Sequence, residues 1–132
     1  MKAKLRRSGD FKKVYQEGKR YQSSLITAFV LVNDQANHRL GVTVSRKISA
    51  TAVGRNRAKR LLRETFRLKR GSFGSLKKNY DWVLNGRQAL LSVKISEPLE
   101  EFGKIIKRVA ADEGNLPRSD QYDSEVSSNS IT

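Results

Sequence analysis

A basic helix predicted at residues 53–68 is the feature that most constrains how this chain folds. Its apolar residues recur at spacings of three and four, which is the period of one face of an α-helix. They are Ala58, Leu61, Leu62, Thr65 and Phe66. At about 100° per residue, the polar residues gather on the opposite side: Arg55, Asn56, Lys59, Arg60, Arg63 and Arg67. One face therefore docks on a core, and the other presents positive charge suited to a polyphosphate backbone.

The overall charge supports the same interpretation. The chain has 27 Lys and Arg against 13 Asp and Glu, a formal net charge of +14. Such a balance indicates nucleic acid or an acidic membrane surface as the partner. Hydrophobic residues make up 37% of the chain, and with regular apolar periodicity they indicate a folded domain rather than a disordered polycation. The length of 132 residues fits one domain with a modest core.

Several kinds of site are excluded by composition. The chain has no cysteine and one histidine, which excludes a disulfide framework, a thiolate metal site and a His-rich zinc site. His38 is predicted to be a surface residue in a turn. Asp10, Glu17 and Asp34 are not spaced to hold two metals for phosphodiester cleavage. We therefore predict neither a catalytic residue nor a metal site on this chain.

The expected elements follow from local patterns. A short helix starts near Ser8 and ends at Gly18, with Phe11, Val14 and Tyr15 on one face. Residues 25–32 and 39–46 are predicted strands joined by a hairpin through 33–37. A short strand at 81–84 ends in an Asn85-Gly86 turn. Ser96 is predicted to cap a last helix, whose buried stripe is Leu99, Phe102, Ile105, Ile106 and Val109.

These elements predict an α+β domain at residues 1–113 with one mixed sheet and helices packed on it. The helices and strands alternate as helix, two or three strands, helix, strand, helix. Residues 114–132 are polar and lack periodicity, so we predict a disordered tail. No 18-residue apolar run or signal-peptide pattern is present, and we expect a cytoplasmic protein without a membrane partner.

Three blocks of the sequence resemble the protein subunit of bacterial ribonuclease P. The first is residues 5–15 followed by Gly18, and the second is the strand 40–47. The third is the Arg55-Asn56-Arg57 triplet followed by Lys59, Arg60, Arg63 and Glu64. The blocks occur in the family's order and cover most of residues 5–68. The chain differs from the family's pattern at Asn85-Gly86, where an aliphatic and a small residue are usual.

The resemblance implies a fold and a role. The fold is an α-β-β-β-α-β-α sandwich of about four strands and three helices, with a left-handed βαβ crossover, similar to the second domain of a small-subunit ribosomal protein. The family's role is to assemble with a catalytic RNA that removes the 5′ leader of precursor tRNA, with Mg²⁺ held mainly by the RNA. The protein then acts as an accessory subunit that contacts the leader. No obligate protein partner is inferred.

Two candidate sites follow. The first binds the catalytic RNA through Arg55, Asn56, Arg57, Lys59, Arg60 and Arg63, with Arg favoured for its bidentate contact with phosphate; Asn56 either caps the helix or touches RNA. The second is a leader-binding cleft in which aromatic rings stack on bases beside cations. Its residues are Phe11, Tyr15, Phe29, Thr43, Ser45, Arg46 and Lys47.

Other functions compete with this one. The alternative function is a non-enzymatic structural RNA-binding protein of ribosomal or assembly type. A membrane-surface or calmodulin-type helix is a weaker possibility, because such a helix needs a wider apolar face. Aromatic residues at helical spacing are ordinarily core, and Trp82 is predicted to be core.

Overall fold

The computed structural model describes residues 4, 5 and 8–116, and it confirms the predicted α+β class. Three α-helices and four strands follow one another in the order α-β-β-β-α-β-α. The helices are α1 (Ser8–Glu17), α2 (Ala52–Leu68) and α3 (Ser96–Asp112). The strands are β1 (Lys19–Gln22), β2 (Ile26–Val32), β3 (Arg39–Thr43) and β4 (Tyr80–Gly86).

The four strands form one mixed sheet in the order β1-β2-β4-β3. β1 and β4 each pair antiparallel with β2, whereas β3 pairs parallel with β4. The predicted hairpin between residues 25–32 and 39–46 is therefore wrong, because β4 lies between those two strands. β3, α2 and β4 form the βαβ unit, since parallel neighbours need a crossover connection.

β4 is longer than predicted and occupies the centre of the sheet. Asn85 and Gly86 are its last two residues and pair with Thr27 and Ile26, so the predicted turn at this position is wrong. An Asn-Gly pair is a strong local turn signal, but here pairing on both sides of the strand outweighs it. Asn85 is thereby placed beside Thr43, its register partner on β3.

Two separate cores cover the two faces of the sheet. The larger core packs α2 and α3 on one face, around the fully buried Trp82, Phe66 and Phe102. The smaller core joins α1 and the N-terminal segment to the other face through Leu5, Val14, Leu31 and Val83. β2 is consequently buried on both faces, as its continuous apolar run predicts.

His38 is not a surface residue, contrary to the prediction. Its ring lies 4.5 Å from that of Phe73 and 6.0 Å from that of Trp82, measured between centroids. The Nδ1 atom accepts hydrogen bonds from the Tyr80 backbone N–H at 3.0 Å and from Trp82 Nε1 at 3.1 Å. Burial lowers the pKa of His38 from 6.5 to about 4.

The helix ends differ from the predicted ones in three places. The side chain of Thr51 caps α2 by accepting from the Gly54 N–H at 3.0 Å, so Asn56 is not the cap. Residues 70–75, for which no helical element is predicted, form a 3₁₀ turn after the end of α2. Ser96 is the first residue of α3 and makes no side-chain cap.

The predicted domain boundary at residue 113 is followed by a short ordered stretch. The Asn115 N–H bonds the Asp112 carbonyl, and Leu116 packs on the larger core. The remainder of the predicted disordered tail, residues 117–132, lies outside the described residues. The division into a domain and a tail stays a prediction.

Candidate nucleic-acid interface

An open cleft lies between α1 and the end of β3. Its volume is about 700 Å³, and it is lined by Ser8, Gly9, Phe11, Lys12, Tyr15, Gln16 and Thr43. Phe11 and Tyr15 lie one turn apart on α1, so both rings face the same side of the helix. Tyr15 is 37% exposed, which leaves its aromatic surface accessible to a ligand.

Hydrogen bonds fix the deep end of this cleft. The Tyr15 hydroxyl donates to Asn85 Oδ1 at 2.9 Å, and the Thr43 hydroxyl donates to the same oxygen at 2.6 Å. The two hydroxyl oxygens are themselves 3.3 Å apart. Tyr15, Thr43 and Asn85 therefore form a triad that ties α1 to the two strands at one end of the sheet.

Gly41 allows Phe11 to lie directly on β3. A Cβ atom at position 41 would lie 2.5 Å from the Phe11 ring, much closer than van der Waals contact. Phe29 extends the aromatic surface on the next part of the sheet. Its ring meets that of Tyr15 edge to face, with 4.9 Å between centroids.

Three further predicted cleft residues, Ser45, Arg46 and Lys47, lie just beyond the end of β3. All three are exposed. The Ser45 carbonyl accepts from the backbone N–H groups of Ile48 and Ser49, so this stretch turns back toward α2. The two cations flank the cleft rather than line it.

The predicted cationic face of α2 is exposed, while Ala58, Leu62, Thr65 and Phe66 are buried on its other side. Arg57, Arg60 and Arg63 are exposed, and within residues 8–116 no carboxylate forms an ion pair with them. Lys59 is half-buried, and Asn56 is exposed beside them. Unpaired arginines on a rigid helix suit contact with phosphate oxygens.

Two arginines of this helix already have partners. Arg55 donates from one guanidinium nitrogen to the carbonyls of Ser49 and Ala50, each at 3.0 Å, and so fixes the connector into α2. Arg67 donates to Glu64 on the helix surface, which lowers the pKa of that carboxyl. Within residues 8–116, Arg57, Lys59, Arg60 and Arg63 make no side-chain hydrogen bond or ion pair, and the three arginines among them are the exposed ones.

A second, smaller cavity connects the cleft to the cationic helix. It measures about 270 Å³, and its lining includes Phe11 from the cleft and Gly41 from β3 together with Arg60 and Arg63 from α2. Phe11 lines both cavities. The aromatic cleft and the arginine row are therefore parts of one continuous surface.

Sequence reasoning missed two residues of this surface. Lys12 lines the cleft. It lies between the apolar positions of α1, so the helical pattern gives no signal for it. Asn85 is predicted in a turn, and only its register with Thr43 and its hydrogen bonds to Tyr15 and Thr43 show that it lies next to the cleft lining. A longer strand at residues 80–86 in the sequence prediction would have identified it.

Two other kinds of site are absent from the described part of the chain. No group of three or more His, Cys, Asp or Glu side chains that could hold a metal is found there. Nor is any helix in those residues long and apolar enough to cross a membrane.

Comparison with known proteins gives a consistent result. The family model described as ribonuclease P matches residues 1–110. The ribonuclease P protein component of Clostridium kluyveri is 36% identical over 105 residues, which is 80% of this chain and 92% of that protein. That of Syntrophus aciditrophicus is also 36% identical over 105 residues, covering 80% and 85%.

Solved structures agree in fold. The ribonuclease P protein of Thermotoga maritima superposes with a TM-score of 0.69 at 31% identity, covering 81% of this chain and 97% of the other. That of Staphylococcus aureus gives 0.67 at 24% identity, covering 83% and 96%. This chain belongs to the ribonuclease P family, as a protein component of that ribonucleoprotein endoribonuclease of tRNA processing.

Proposed function

We propose that this chain binds the catalytic RNA of ribonuclease P through the exposed face of α2 and the 5′ leader of precursor tRNA through the cleft beside α1. In this role it assists the endonucleolytic removal of the leader that gives the mature 5′ end. The RNA carries the catalytic centre, and a cytoplasmic location stays a prediction.

The observation that carries the proposal is the continuity of the two surfaces. Arg60 and Arg63 line the same cavity as Phe11 and Gly41. A single protein that holds a folded RNA with one patch can therefore hold a substrate strand with the adjacent patch.

The chemistry of the cleft favours an unpaired strand. Single-stranded RNA is bound by stacking its bases on aromatic side chains and by neutralising its phosphates with cations. Phe11 and Tyr15 supply the rings, and Lys12, Arg46 and Lys47 supply the charge. A paired helix cannot offer its base faces for stacking, so the leader fits better than the tRNA stems.

We further propose that the Mg²⁺ used in cleavage is held mainly by RNA. The cleft and the adjoining cavity are lined by the cations Lys12, Arg60 and Arg63, and these repel a divalent metal at this position. The RNA phosphates, once bound there, supply the oxygen ligands that Mg²⁺ prefers. The protein's part is to bind and orient.

The proposal is tested with the holoenzyme assembled from this chain and a cognate catalytic RNA. Affinities for precursor tRNA and for mature tRNA are measured with wild type and with Phe11→Leu, which keeps an apolar side chain but removes the ring. We expect wild type to prefer the precursor, and Phe11→Leu to lose about tenfold of that preference, because base stacking contributes about 1–3 kcal/mol.

Phe73→Leu is the matched control, since Phe73 is another half-buried ring but packs near Trp82, on the face of the sheet opposite α1. It should leave the preference unchanged. Equal affinity of the wild-type holoenzyme for precursor and mature tRNA would refute leader binding. That result would favour the alternative of a structural RNA-binding protein.

A further inference from the structure

Asn85 has a hydrogen-bonding arrangement that the proposed function does not yet use. Its Oδ1 atom accepts from both the Tyr15 and the Thr43 hydroxyl. Both contacts engage the amide oxygen, which lies 2.9 Å from the Tyr15 hydroxyl oxygen and 2.6 Å from the Thr43 hydroxyl oxygen. The amide NH₂ group must therefore point away from them.

That NH₂ group is left available to a ligand. No acceptor for the amide nitrogen is found among the described residues, and the Asn85 side chain is only partly buried. Both hydroxyls hold the amide plane in one orientation, so the two N–H donors have a fixed direction. Fixed amide donors and acceptors are the groups that proteins use to read the edges of unpaired bases.

The position of Asn85 in the sheet supports such a role. Gln22, Thr27, Asn85 and Thr43 pair in register across all four strands. Their side chains share the face that carries α1, because Thr27 and Asn85 alternate with residues of the larger core. This polar row spans about 14 Å, or three inter-strand spacings, and has Asn85 and Thr43 at the end next to the cleft.

We propose that Asn85 determines base selectivity in the cleft by donating a hydrogen bond to an acceptor atom on the edge of one unpaired leader nucleotide. The inference rests on the proposed leader binding. A base stacked on Tyr15 would place its edge toward the triad, since Tyr15 is joined directly to Asn85. On the major-groove edge of a base, purine N7 and the carbonyl oxygens of guanine and uracil are acceptors, whereas cytosine presents only its amino group.

The test uses holoenzyme and a set of precursor tRNAs in which each leader position carries each of the four bases in turn. Wild type should prefer adenine, guanine or uracil over cytosine at one position by about three- to tenfold, the effect of a single hydrogen bond. Asn85→Leu, which has no donor, should abolish the preference at that position. Asn85→Asp should shift it toward bases that offer an amino group.

Asn85→Asp is included because Asn85→Leu could fail to fold. The aspartate carboxylate still accepts from both hydroxyls, so this variant keeps the hydrogen bonds that join α1 to the sheet. The effect of its added negative charge is measured with Asn115→Asp, an exposed position in the turn after α3. That turn lies near the start of β4, since neighbouring Glu113 accepts from the Tyr80 hydroxyl. Asn115→Asp should keep the wild-type base profile.

Three results would overturn the inference. One is a wild-type holoenzyme that prefers precursor over mature tRNA but has no base preference at any leader position. Another is a base profile that Asn85→Leu and Asn85→Asp leave unchanged. The third is an equal loss for all four bases, which would mean a phosphate contact. In each of these cases the holoenzyme still binds the leader. Failure of the base-selectivity inference can therefore be told apart from failure of the proposed leader binding.

Discussion

At the scale of single residues, His38 makes the folded state sensitive to acid. Its Nδ1 accepts two N–H donors inside an aromatic cluster, and burial lowers its pKa from 6.5 to about 4. In the unfolded chain the same group titrates near its ordinary value. Between these two pH values the unfolded state binds more protons than the folded state does. The contribution of neutral His38 to the stability of the folded state is therefore complete above about pH 6.5 and is lost as the pH falls toward 4.

We therefore predict that between pH 7 and pH 4.5 the unfolding free energy falls by about 1 kcal/mol more in wild type than in His38→Asn, because solvent screening at a partly exposed ring reduces the full effect of the pKa difference. The asparagine keeps an acceptor oxygen but cannot be protonated in this range. Urea unfolding at the two pH values measures the difference. Asp81 and Glu113, the acidic groups that act on His38, are present in both proteins. Parallel pH profiles would contradict the assignment.

At the scale of elements, α2 keeps packing and charge on opposite faces, so its charge can be changed without disturbing the core. We predict that Arg57→Gln with Arg60→Gln weakens binding of the catalytic RNA by about 10- to 100-fold. The slope of log affinity against log salt should become shallower by about 0.7–0.9 for each phosphate that the variant no longer neutralises. The unfolding free energy should change by no more than about 0.5 kcal/mol per substitution.

Lys104→Gln with Lys107→Gln removes the same charge from exposed positions on α3 and serves as the control. It should affect RNA binding and the salt slope much less than the α2 pair does. Equal effects of the two pairs would show that only net charge matters and that α2 is not the binding face.

The sequence predicted the elements whose signals are local. The period of α2 and the continuous apolar run of β2 depend on neighbours a few residues apart, and both elements form as expected. The position of β4 depends on pairing with strands about 40 and 55 residues earlier. No local pattern carries that pairing, so the hairpin prediction and the Asn85-Gly86 turn both failed.

The residues of the candidate site also separate into those with a local sequence signal and those placed by long-range pairing. Phe11, Tyr15 and the arginines of α2 follow from helical period, and the structure brings them onto one surface. Arg55 binds the connector instead of remaining free, because the preceding turn places two carbonyls within its reach. Asn85 and the burial of His38 arise from long-range pairing, which single-sequence patterns do not contain.

At the scale of the whole molecule, the net charge of +14 opposes folding through self-repulsion. We predict that the unfolding midpoint of the free protein rises by about 4 °C between 20 and 300 mM NaCl, equivalent to about 1 kcal/mol. Bound to its RNA, the protein should show the opposite trend, because salt weakens the complex. Thermal unfolding with and without RNA tests both signs, and a fall in the free protein would contradict the prediction.

The central position of β4 also bears on synthesis of the chain at the ribosome. A nascent chain that ends before Tyr80 contains β1, β2, β3 and all of α2, but β2 and β3 lack the strand that joins them. The arginines of α2 are thus translated before the sheet that orients them can close. If α2 binds RNA as proposed, we expect selective recognition to begin only after residues 80–86 leave the exit tunnel, which would couple assembly of the particle to near-completion of translation.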